Sequence, residues 1–309
     1  MFSEKAAKAI KLLLNPVRLY ETFVVYTPRL WSDRYYIRCK FHWRHRRWLD
    51  LEHPRTFNEK IQWLKLNEWQ DIYPVLVDKV RVKEWVAARI GEDHIIPTIG
   101  VWERAEDIDF DHLPDKFVLK CNHNSHKGLC ICRDKSALNR KKVVKELRRG
   151  LKEDYSAVSR EPAYGKVPRR ILAEKLIEDS SGDLRDYKFF CNNGRVGCIM
   201  VCGSRNTREG LHLDLYDTEW NKLPFVEEFP NLKQPVQKPE RYEEMTRIAE
   251  TLSKGFRFAR VDLYLADGSI YFGEMTFHPG GGFDRFDSEE AELWMGRLID
   301  IPSTSKHPL

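Results

Sequence analysis

The chain has 309 residues, of which 42% are hydrophobic and 32% charged, and its formal net charge is +5 at pH 7. This composition predicts a globular protein, and the length gives room for one large or two modest domains. No run approaches the roughly 18 apolar residues of a membrane span, and we expect no signal peptide. Seven cysteines, mostly in apolar strand-like contexts, predict reduced thiols and a cytoplasmic location.

The first 50 residues form a basic segment that also contains several tryptophans. They carry eleven Lys or Arg against four Asp or Glu. We predict an amphipathic helix over 4–14 and two further helical pieces within 17–50. Such a segment fits contact with anionic lipid or nucleic acid, or packing of its aromatic side chains on the main domain. The next helix is predicted to follow Thr56, because Thr56 and Glu59 have the spacing of a capping box.

The middle of the chain alternates predicted helices and short strands. An amphipathic helix is predicted over 78–90 and a basic helix over 136–153. Short apolar or β-branched runs bounded by turn residues predict strands over 95–102, 117–121, 129–132 and 171–177. We expect the second and third of these strands to pair with each other.

Two hairpins with two-residue turns dominate the C-terminal half. The first joins strands over 187–191 and 196–201 through Asn193-Gly194. The second follows a helix over 239–254 and joins strands over 258–265 and 270–277 through Asp267-Gly268. Because hairpins outnumber strand–helix–strand units, we predict an α+β fold with antiparallel sheets.

The second hairpin contains a candidate metal site. Since side chains alternate along a strand, Arg260 and Asp262 share one face of the first strand. The same alternation puts Phe272, Glu274 and Thr276 on one face of the return strand. Two facing carboxylates are costly to bury unless a positive charge lies between them, and Mg²⁺ suits such oxygen ligands. The alternative is an ordinary solvated face, but the glycine-rich run that follows, PGGG, favours close approach of the backbone to a ligand.

A second candidate site follows the strand that ends at Lys120. A strand lysine followed by a polar loop, here 122–128, suits a phosphate group that the loop amides cover. The sequence has no Walker A motif, which excludes a P-loop as the phosphate-binding element. The same loop has a rival interpretation as a zinc site with the pattern H-x2-H-x3-C-x-C, although zinc-binding cysteines usually have at least two residues between them. Its ligands would be His123, His126, Cys130 and Cys132.

Asp186 and Lys188 share a face of the first hairpin's leading strand. The lysine suits a phosphate, and Arg205 after the next strand is placed to reach the same anion. The alternative is a surface ion pair without a ligand.

Six motifs along the chain are similar to those of one known family. They are TFNEKIQWLK at 56–65, DKVRVKEWV at 78–86, FVLKCNH at 117–123, EPAY at 161–164, DYKFF at 186–190 and FGEMTF at 272–277. Together they resemble the TupA-like ATP-grasp family over approximately residues 40–298. That family is named for teichuronopeptide synthesis and is associated with bacterial surface-polysaccharide loci.

The resemblance implies a fold and a domain organisation. ATP-grasp proteins have two α+β subdomains that clamp ATP, here preceded by a helical basic region over 1–70. The ATP-grasp domain would cover 71–300, its smaller nucleotide-covering subdomain about 115–175, and a tail 301–309.

The resemblance also implies roles for individual residues. Asp262, Glu274 and Thr276 would hold Mg²⁺, with Thr276 at a position where many members carry Asn. Lys188, Arg205 and Arg260 would be catalytic, because their charge stabilises the negative charge that develops during the reaction. An E-x-x-[LI] motif at 174–177 would contact the nucleoside at the hinge between the subdomains. The residues implied to bind the nucleotide are Lys79, Lys120, Asn122, His123, Ser125, Glu174, Lys175, Leu176, Asp186 and Lys188.

The function that follows from the resemblance is ATP- and Mg²⁺-dependent ligation of an amine or amino acid to the carboxylate of a uronic acid. Two alternatives stay open: a kinase that phosphorylates a sugar or lipid-linked acceptor, and a nucleotide-binding partner of a glycosyltransferase assembly. We expect a carbohydrate acceptor with a carboxylate, a small amine and polysaccharide-assembly proteins as partners, and no nucleic acid. We also expect a cytoplasmic location with peripheral contact at the inner face of the membrane.

Overall fold

The computed structural model describes residues 15–125, 127–203 and 210–302. The helix predicted over 4–14 lies outside these residues. Within the described part of the chain, no helix is both long enough and apolar enough to cross a membrane.

The helices of the N-terminal third agree with the sequence patterns. Helices α1 (Pro16–Tyr26) and α2 (Asp33–His45) confirm the two helical pieces within 17–50. Helix α3 (Phe57–Asn67) begins with the predicted capping box, in which the Thr56 side chain and the Glu59 carboxylate each accept a hydrogen bond from the other's backbone N–H. The remaining α-helices of the described residues are α4 (Tyr73–Leu76), α5 (Val82–Ile90), α6 (Arg140–Leu151), α7 (Tyr155–Ser159), α8 (Pro162–Gly165), α9 (Tyr242–Ser253) and α10 (Glu289–Gly296).

The smaller of two sheets has four antiparallel strands in the order β1-β4-β2-β3. Its strands are β1 (Thr98–Trp102), β2 (Phe117–Cys121), β3 (Leu129–Cys132) and β4 (Ile171–Lys175). Helix α6 covers one face, where Val143 and Leu147 pack with Phe117 and Leu119. Because β1 precedes residue 115, this sheet begins earlier in the chain than the predicted subdomain over about 115–175.

The larger sheet has five antiparallel strands in the order β7-β6-β5-β8-β9. Its strands are β5 (Asp186–Asn192), β6 (Arg195–Gly203), β7 (His212–Tyr216), β8 (Ala259–Ala266) and β9 (Ser269–Thr276). Both predicted hairpins are present, β5–β6 and β8–β9, whereas β7 was not predicted. Two antiparallel sheets with helices beside them confirm the α+β prediction.

Helices cover both faces of the larger sheet. Helices α5 and α9 pack on one face, against side chains such as Phe189 and Val261. Helices α3 and α10 pack on the other face, where Phe57 contacts Phe190 and Phe258. Helix α3 falls within the predicted N-terminal region over 1–70, yet its apolar side is part of this core. The second face also carries the polar residues of the candidate site, since Lys188 alternates with Phe189 and Arg260 with Val261.

Candidate active site

The β8–β9 hairpin places its two central carboxylates side by side. Asp262 pairs directly with Glu274, and Arg260 pairs with Thr276. A β-bulge at Gly273 precedes this segment, so that Leu263 pairs with Phe272. The extra residue reverses the alternation, and Phe272 lies in the apolar core on the opposite face. The prediction that Phe272 shares a face with Glu274 is therefore wrong, while the pairing of the two carboxylates is as predicted.

Asp262 is buried and bonded to two cations. The Arg260 guanidinium donates to both of its oxygens, from Nε at 2.7 Å and from Nη2 at 2.8 Å. Lys188, directly opposite Asp262 on the neighbouring strand β5, donates to Asp262 Oδ2. The Lys188 ammonium also lies 2.7 Å from Asp186 Oδ2. The shared face predicted within each pair, Asp186 with Lys188 and Arg260 with Asp262, is confirmed, while the pairing of β5 with β8, which was not predicted, brings the two pairs together. The ion pair of Asp186 with Lys188 is buried rather than on the surface.

Three oxygen-bearing side chains converge on one positive group in this hairpin. Arg260 Nη2 lies 2.8 Å from Asp262 Oδ2, 3.3 Å from Glu274 Oε1 and 3.2 Å from Thr276 Oγ1. These three residues are the ones predicted to hold Mg²⁺. Carboxylate and hydroxyl oxygens that already surround a cation are a donor set that suits this ion. The residues present therefore fit Mg²⁺, with Arg260 as its immediate neighbour.

The smaller sheet and the segment around the start of α5 contribute a second group of charges. Glu174 on β4 is buried, and its two oxygens pair with Lys83, at 2.6 Å, and with Lys120 on β2. Lys79 donates to the Asn124 carbonyl at 2.8 Å, and its Nζ lies 3.8 Å from Glu274 Oε2. Lys79 therefore connects the loop after β2 to the carboxylates of the larger sheet.

One comparison with known proteins decides the family. A family model described as "TupA-like ATPgrasp" matches residues 59–300. The chain belongs to the TupA-like ATP-grasp family. Its two sheets are accordingly the two halves of an ATP-grasp fold, and the charged residues described above lie where these halves face each other.

Two solved structures illustrate how far the likeness extends. The D-alanine–D-alanine ligase of Bacillus anthracis, solved in complex with ATP, is 18% identical over 67% of this chain and 55% of that protein, with a TM-score of 0.39. The D-alanine–D-alanine ligase of Helicobacter pylori is 14% identical over 79% of this chain and 69% of its own, with a TM-score of 0.41. The chain thus spans little more than half the length of the B. anthracis enzyme. A search of curated proteins finds no match.

The charges of the candidate site shift the pKa values of its members. Burial opposes ionisation of Glu274, but the positive charges of Lys79, Arg260 and Lys188 outweigh it and lower the pKa of Glu274 to about 2. Burial opposes the charge of Lys188 as well, but Asp186 and Asp262 outweigh it and raise the pKa of that lysine. Burial lowers the pKa of Lys79. Glu274 is therefore a carboxylate throughout the neutral range.

The predicted nucleotide-binding residues of the β2–β3 loop differ in what they contact. The Asn122 amide donates to Asp78 and the Pro168 carbonyl and accepts from the Arg170 backbone N–H, so its side chain is fully used within the protein. These bonds hold the loop in place, and the contact of Asn122 with the nucleotide stays a prediction. His123 is buried, with its Nε2 3.3 Å from the Glu153 carbonyl, whereas Ser125 is exposed.

The hinge residues have protein partners too. Both oxygens of Glu174 are paired with lysines, so its predicted contact with the nucleoside would require one pair to open. The backbone N–H of Lys175 donates to the Pro97 carbonyl and its side chain is exposed. Leu176 begins the segment 176–185, which connects β4 of the smaller sheet to β5 of the larger one. A contact of this segment with adenine stays a prediction.

Two predicted site residues, Arg205 and His126, lie outside the described residues. The catalytic role of Arg205 therefore stays a prediction. Among the described residues, no group of three or more His, Cys, Asp or Glu side chains is arranged to hold a metal, so the zinc interpretation gains no support there. Cys132, one of its members, donates instead to the Asp115 carbonyl.

Sequence reasoning missed the polar side of α3, which holds the loop after the metal strand. Asn58 donates to the Asp284 carbonyl at 2.8 Å, and Gln62 donates to the carbonyls of Gly281 at 2.9 Å and Gly282 at 2.7 Å. Lys65 donates to the Gly281 carbonyl at 2.6 Å and to the Ser159 carbonyl at 2.9 Å. The three side chains are buried and spaced at i, i+4 and i+7, which is the signal that the motif TFNEKIQWLK offered.

Proposed function

We propose that this protein is an ATP- and Mg²⁺-dependent carboxylate–amine ligase. It would join an amine or amino acid to the carboxylate of a uronic acid during bacterial surface-polysaccharide synthesis, through an acyl phosphate. Membership of the TupA-like ATP-grasp family supports the nucleotide dependence. The association of that family with surface polysaccharides, noted above, supports the choice of acceptor.

One observation supports this proposal more than any other: cations from three parts of the chain surround the same paired carboxylates. Lys79, which bonds the loop after β2 of the smaller sheet, approaches Glu274, while Lys188 and Arg260 bond Asp262 from within the larger sheet. Phosphoryl transfer depends mainly on positioning and charge stabilisation, with little covalent work for the protein. A nucleoside triphosphate with its metal requires such a site, in which cations surround two carboxylates that can bind the metal.

The proposed reaction has two steps. An oxygen of the acceptor carboxylate attacks the γ-phosphorus of ATP, the bond to the β–γ bridging oxygen breaks, and ADP leaves with that electron pair. The neutral amine then attacks the acyl carbon, and the tetrahedral intermediate expels inorganic phosphate and loses a proton to form the amide. Lys188 and Arg260 lie where they can stabilise the negative charge that develops on the transferred group and on the intermediate.

The metal requirement follows from the same residues. Asp262, Glu274 and Thr276 would hold Mg²⁺. A bound Mg²⁺ neutralises charge on the β- and γ-phosphates. Arg260, which bonds oxygens of the same three residues, would hold its positive charge beside the transferred group.

A buried carboxylate beyond the hairpin supports a place for the amine. Glu161 Oε2 lies 3.3 Å from His278 Nδ1, two residues after Thr276, and Glu161 Oε1 has no hydrogen-bond partner in the described part of the chain. The neighbouring rings of Tyr155 and Tyr164 lie near both Glu161 and Glu274, since both carboxylates raise the pKa of each ring alongside burial. The Oε1 atom of Glu161 would accept a hydrogen bond from an incoming amine.

A cytoplasmic location belongs to the same proposal. All seven cysteines are free thiols in the structure, as expected for a reducing compartment. ATP is available there, and the assembly of activated sugar precursors would bring this enzyme together with other polysaccharide-assembly proteins.

The test is release of phosphate from ATP by the purified protein with Mg²⁺, glucuronate or galacturonate, and a panel of amino acids and small amines. We expect release to depend on both the acid and the amine, and mass spectrometry to find the amide. Glu274→Gln should raise the Mg²⁺ concentration required by at least about tenfold, because a charged metal ligand becomes neutral. Glu243→Gln, at an exposed position of α9, is the matched control and should behave as the wild type.

The other outcomes separate the alternatives. Phosphate retained on the acceptor, with no need for an amine, would identify a kinase. ATP binding without turnover with any pair would favour a nucleotide-binding partner of a larger assembly. Either result would overturn the ligase proposal.

A further inference from the structure

Helix α1 exposes an apolar face to solvent. Leu19, Tyr20, Phe23 and Tyr26 retain 42%, 45%, 51% and 75% of their accessible surface. At 100° per residue these positions fall within one arc of the helix, while the two buried residues of the helix, Glu21 and Val24, lie outside that arc. A helix of a soluble protein normally buries its apolar face and exposes its polar one. The exposed apolar face of α1 therefore indicates a binding surface.

The apolar face continues into the start of α2 as an aromatic cluster. The Trp31 ring lies 6.1 Å from Tyr20, 6.2 Å from Phe23 and 5.2 Å from Tyr35 between ring centroids. The hydroxyl groups of Tyr20 and Tyr35 are hydrogen-bonded at 2.7 Å. Leu30 beside them is 69% exposed. We call this set the α1 surface; it comprises Leu19, Tyr20, Phe23, Tyr26, Leu30, Trp31 and Tyr35.

Basic side chains border the α1 surface. Arg34 and Arg38 are exposed on α2, one residue before and three residues after Tyr35, so Arg38 lies on the same side of the helix as that ring. The acidic residues nearby are bonded within the protein, because Glu21 is buried beside His42 and Asp33 pairs with Arg160. The border of the surface is therefore positively charged.

We propose that the α1 surface binds the head-group region of an anionic lipid bilayer. Aromatic rings with a polar edge and exposed arginines are the combination that favours the boundary between head groups and acyl chains. Anionic lipids would attract the two arginines, whereas a second copy of the same surface would repel them because it carries the same positive charges. Binding here would hold the ATP-grasp site near a membrane, independently of which reaction that site performs.

The test is co-sedimentation of the full-length protein with vesicles of phosphatidylcholine alone and of phosphatidylcholine mixed with phosphatidylglycerol. We expect binding to the mixed vesicles, little binding to the neutral ones, and weakening as salt screens the charges. The double variant Phe23→Ser, Tyr26→Ser should lose about tenfold or more in affinity, because it removes two large side chains from the membrane. Phe229→Ser, at a phenylalanine elsewhere that is 41% exposed, should leave affinity unchanged.

A charge-reversal pair tests the border separately. Arg34→Glu with Arg38→Glu should weaken binding by at least about tenfold, since each basic residue near an anionic surface contributes to the attraction. Lys141→Glu with Lys145→Glu changes the net charge equally, at the same i, i+4 spacing on an exposed face of α6, and should bind like the wild type.

Several results would overturn the proposal. No binding by the folded full-length protein is one, and equal losses in a variant and its matched control is another. A dimer in sedimentation velocity that the Phe23→Ser, Tyr26→Ser variant converts to monomer, without any vesicle binding, would assign the surface to a second copy instead.

Discussion

Lys65 on α3 combines burial, a positive charge and two backbone contacts that hold the segments flanking the site. Its ammonium bonds the carbonyls of Ser159 and Gly281 and lies 4.9 Å from the centre of the Phe283 ring. Burial is the largest influence on this group, and it lowers the pKa of Lys65 to about 7 from an ordinary value of 10.5. The positive charges of Lys40 and Arg160 lower this pKa further, whereas the negative charges of Glu161 and Asp33 raise it.

The shift gives a prediction for the pH dependence of stability. Between about pH 7 and 10.5 the unfolded chain binds a proton on Lys65 that the folded chain does not, so the stability of the wild type rises with pH through this window. Lys65→Met lacks this group. The free energy of unfolding of the wild type minus that of Lys65→Met should therefore increase with pH. Its slope should be at most about 1.4 kcal/mol per pH unit.

Denaturant unfolding at several pH values checks this, with Lys145→Met at an exposed position of α6 as the control. A constant difference between wild type and Lys65→Met across the window would show that Lys65 keeps its proton in the folded protein. In that case its bonds to the two carbonyls would be those of an ammonium at every pH measured.

The turn that follows β9 is built on three consecutive glycines with left-handed backbone. Gly280, Gly281 and Gly282 have φ values of 55°, 61° and 68°, a region that L-residues other than glycine seldom adopt. The carbonyls of Gly281 and Gly282 face α3, and there is no room for a side chain at Gly282. A Cβ there would lie 2.7 Å from Gln62 Nε2 and 2.9 Å from Ile61 Cγ2.

Two glycine substitutions separate backbone strain from this contact. Gly268 in the β8–β9 turn has φ +78°, and no atom lies within 4 Å of the place that a Cβ would take, so Gly268→Ala should cost only the left-handed strain, about 1 kcal/mol. Gly282→Ala should cost about 3 kcal/mol, because overpacking against α3 adds to the same strain. The measurement is the free energy of unfolding of each variant in denaturant. Equal losses in the two variants would show that α3 yields to the added methyl group.

The hairpins could be predicted from sequence because their turns are local. Asn193-Gly194 and Asp267-Gly268 both adopt positive φ at each residue, as a two-residue hairpin turn requires, and such a turn fixes the register of the strands beside it. The bulge at Gly273 could not be predicted, since alternation of side chains assumes an unbroken strand. Strand β7 was missed for another reason: its buried Asp214 is neutralised by Lys222, a contact that the local pattern does not show.

The candidate site was predictable to the extent that its residues lie on one hairpin. Asp262 and Glu274 are brought together by the local pairing of β8 with β9, whereas Lys188 reaches Asp262 through the pairing of β5 with β8, which lie far apart in the chain. The partners of Lys120 and Lys79 were not predictable. The pair of Lys120 with Glu174 depends on the pairing of β2 with β4, which lie far apart in the chain, and the contact of Lys79 with Glu274 depends on how the segment before α5 meets the larger sheet. Lys83 was missed altogether, and only the fold shows that it pairs with Glu174.

The two halves of the molecule are joined at the candidate site by Lys79. Its backbone N–H donates to the Asn122 carbonyl and its side chain donates to the Asn124 carbonyl, both in the loop after β2 of the smaller sheet. The same ammonium lies 3.8 Å from Glu274 on the larger sheet. A polyanion bound between the sheets would be attracted by this charge from the side opposite Lys188 and Arg260.

Stabilisation by ligand therefore tests whether the two halves act together. Mg²⁺·ATP at 100 times its dissociation constant should raise the free energy of unfolding of the wild type by about 2.7 kcal/mol. Lys79→Met should reduce this gain by about 1.4 kcal/mol, which corresponds to a tenfold loss of affinity. Lys141→Met, at an exposed position of α6, should keep the full gain. If Lys79→Met is stabilised as much as the wild type, the nucleotide contacts the larger sheet without this lysine, and the charge on Lys79 serves only to hold the loop after β2 against Glu274.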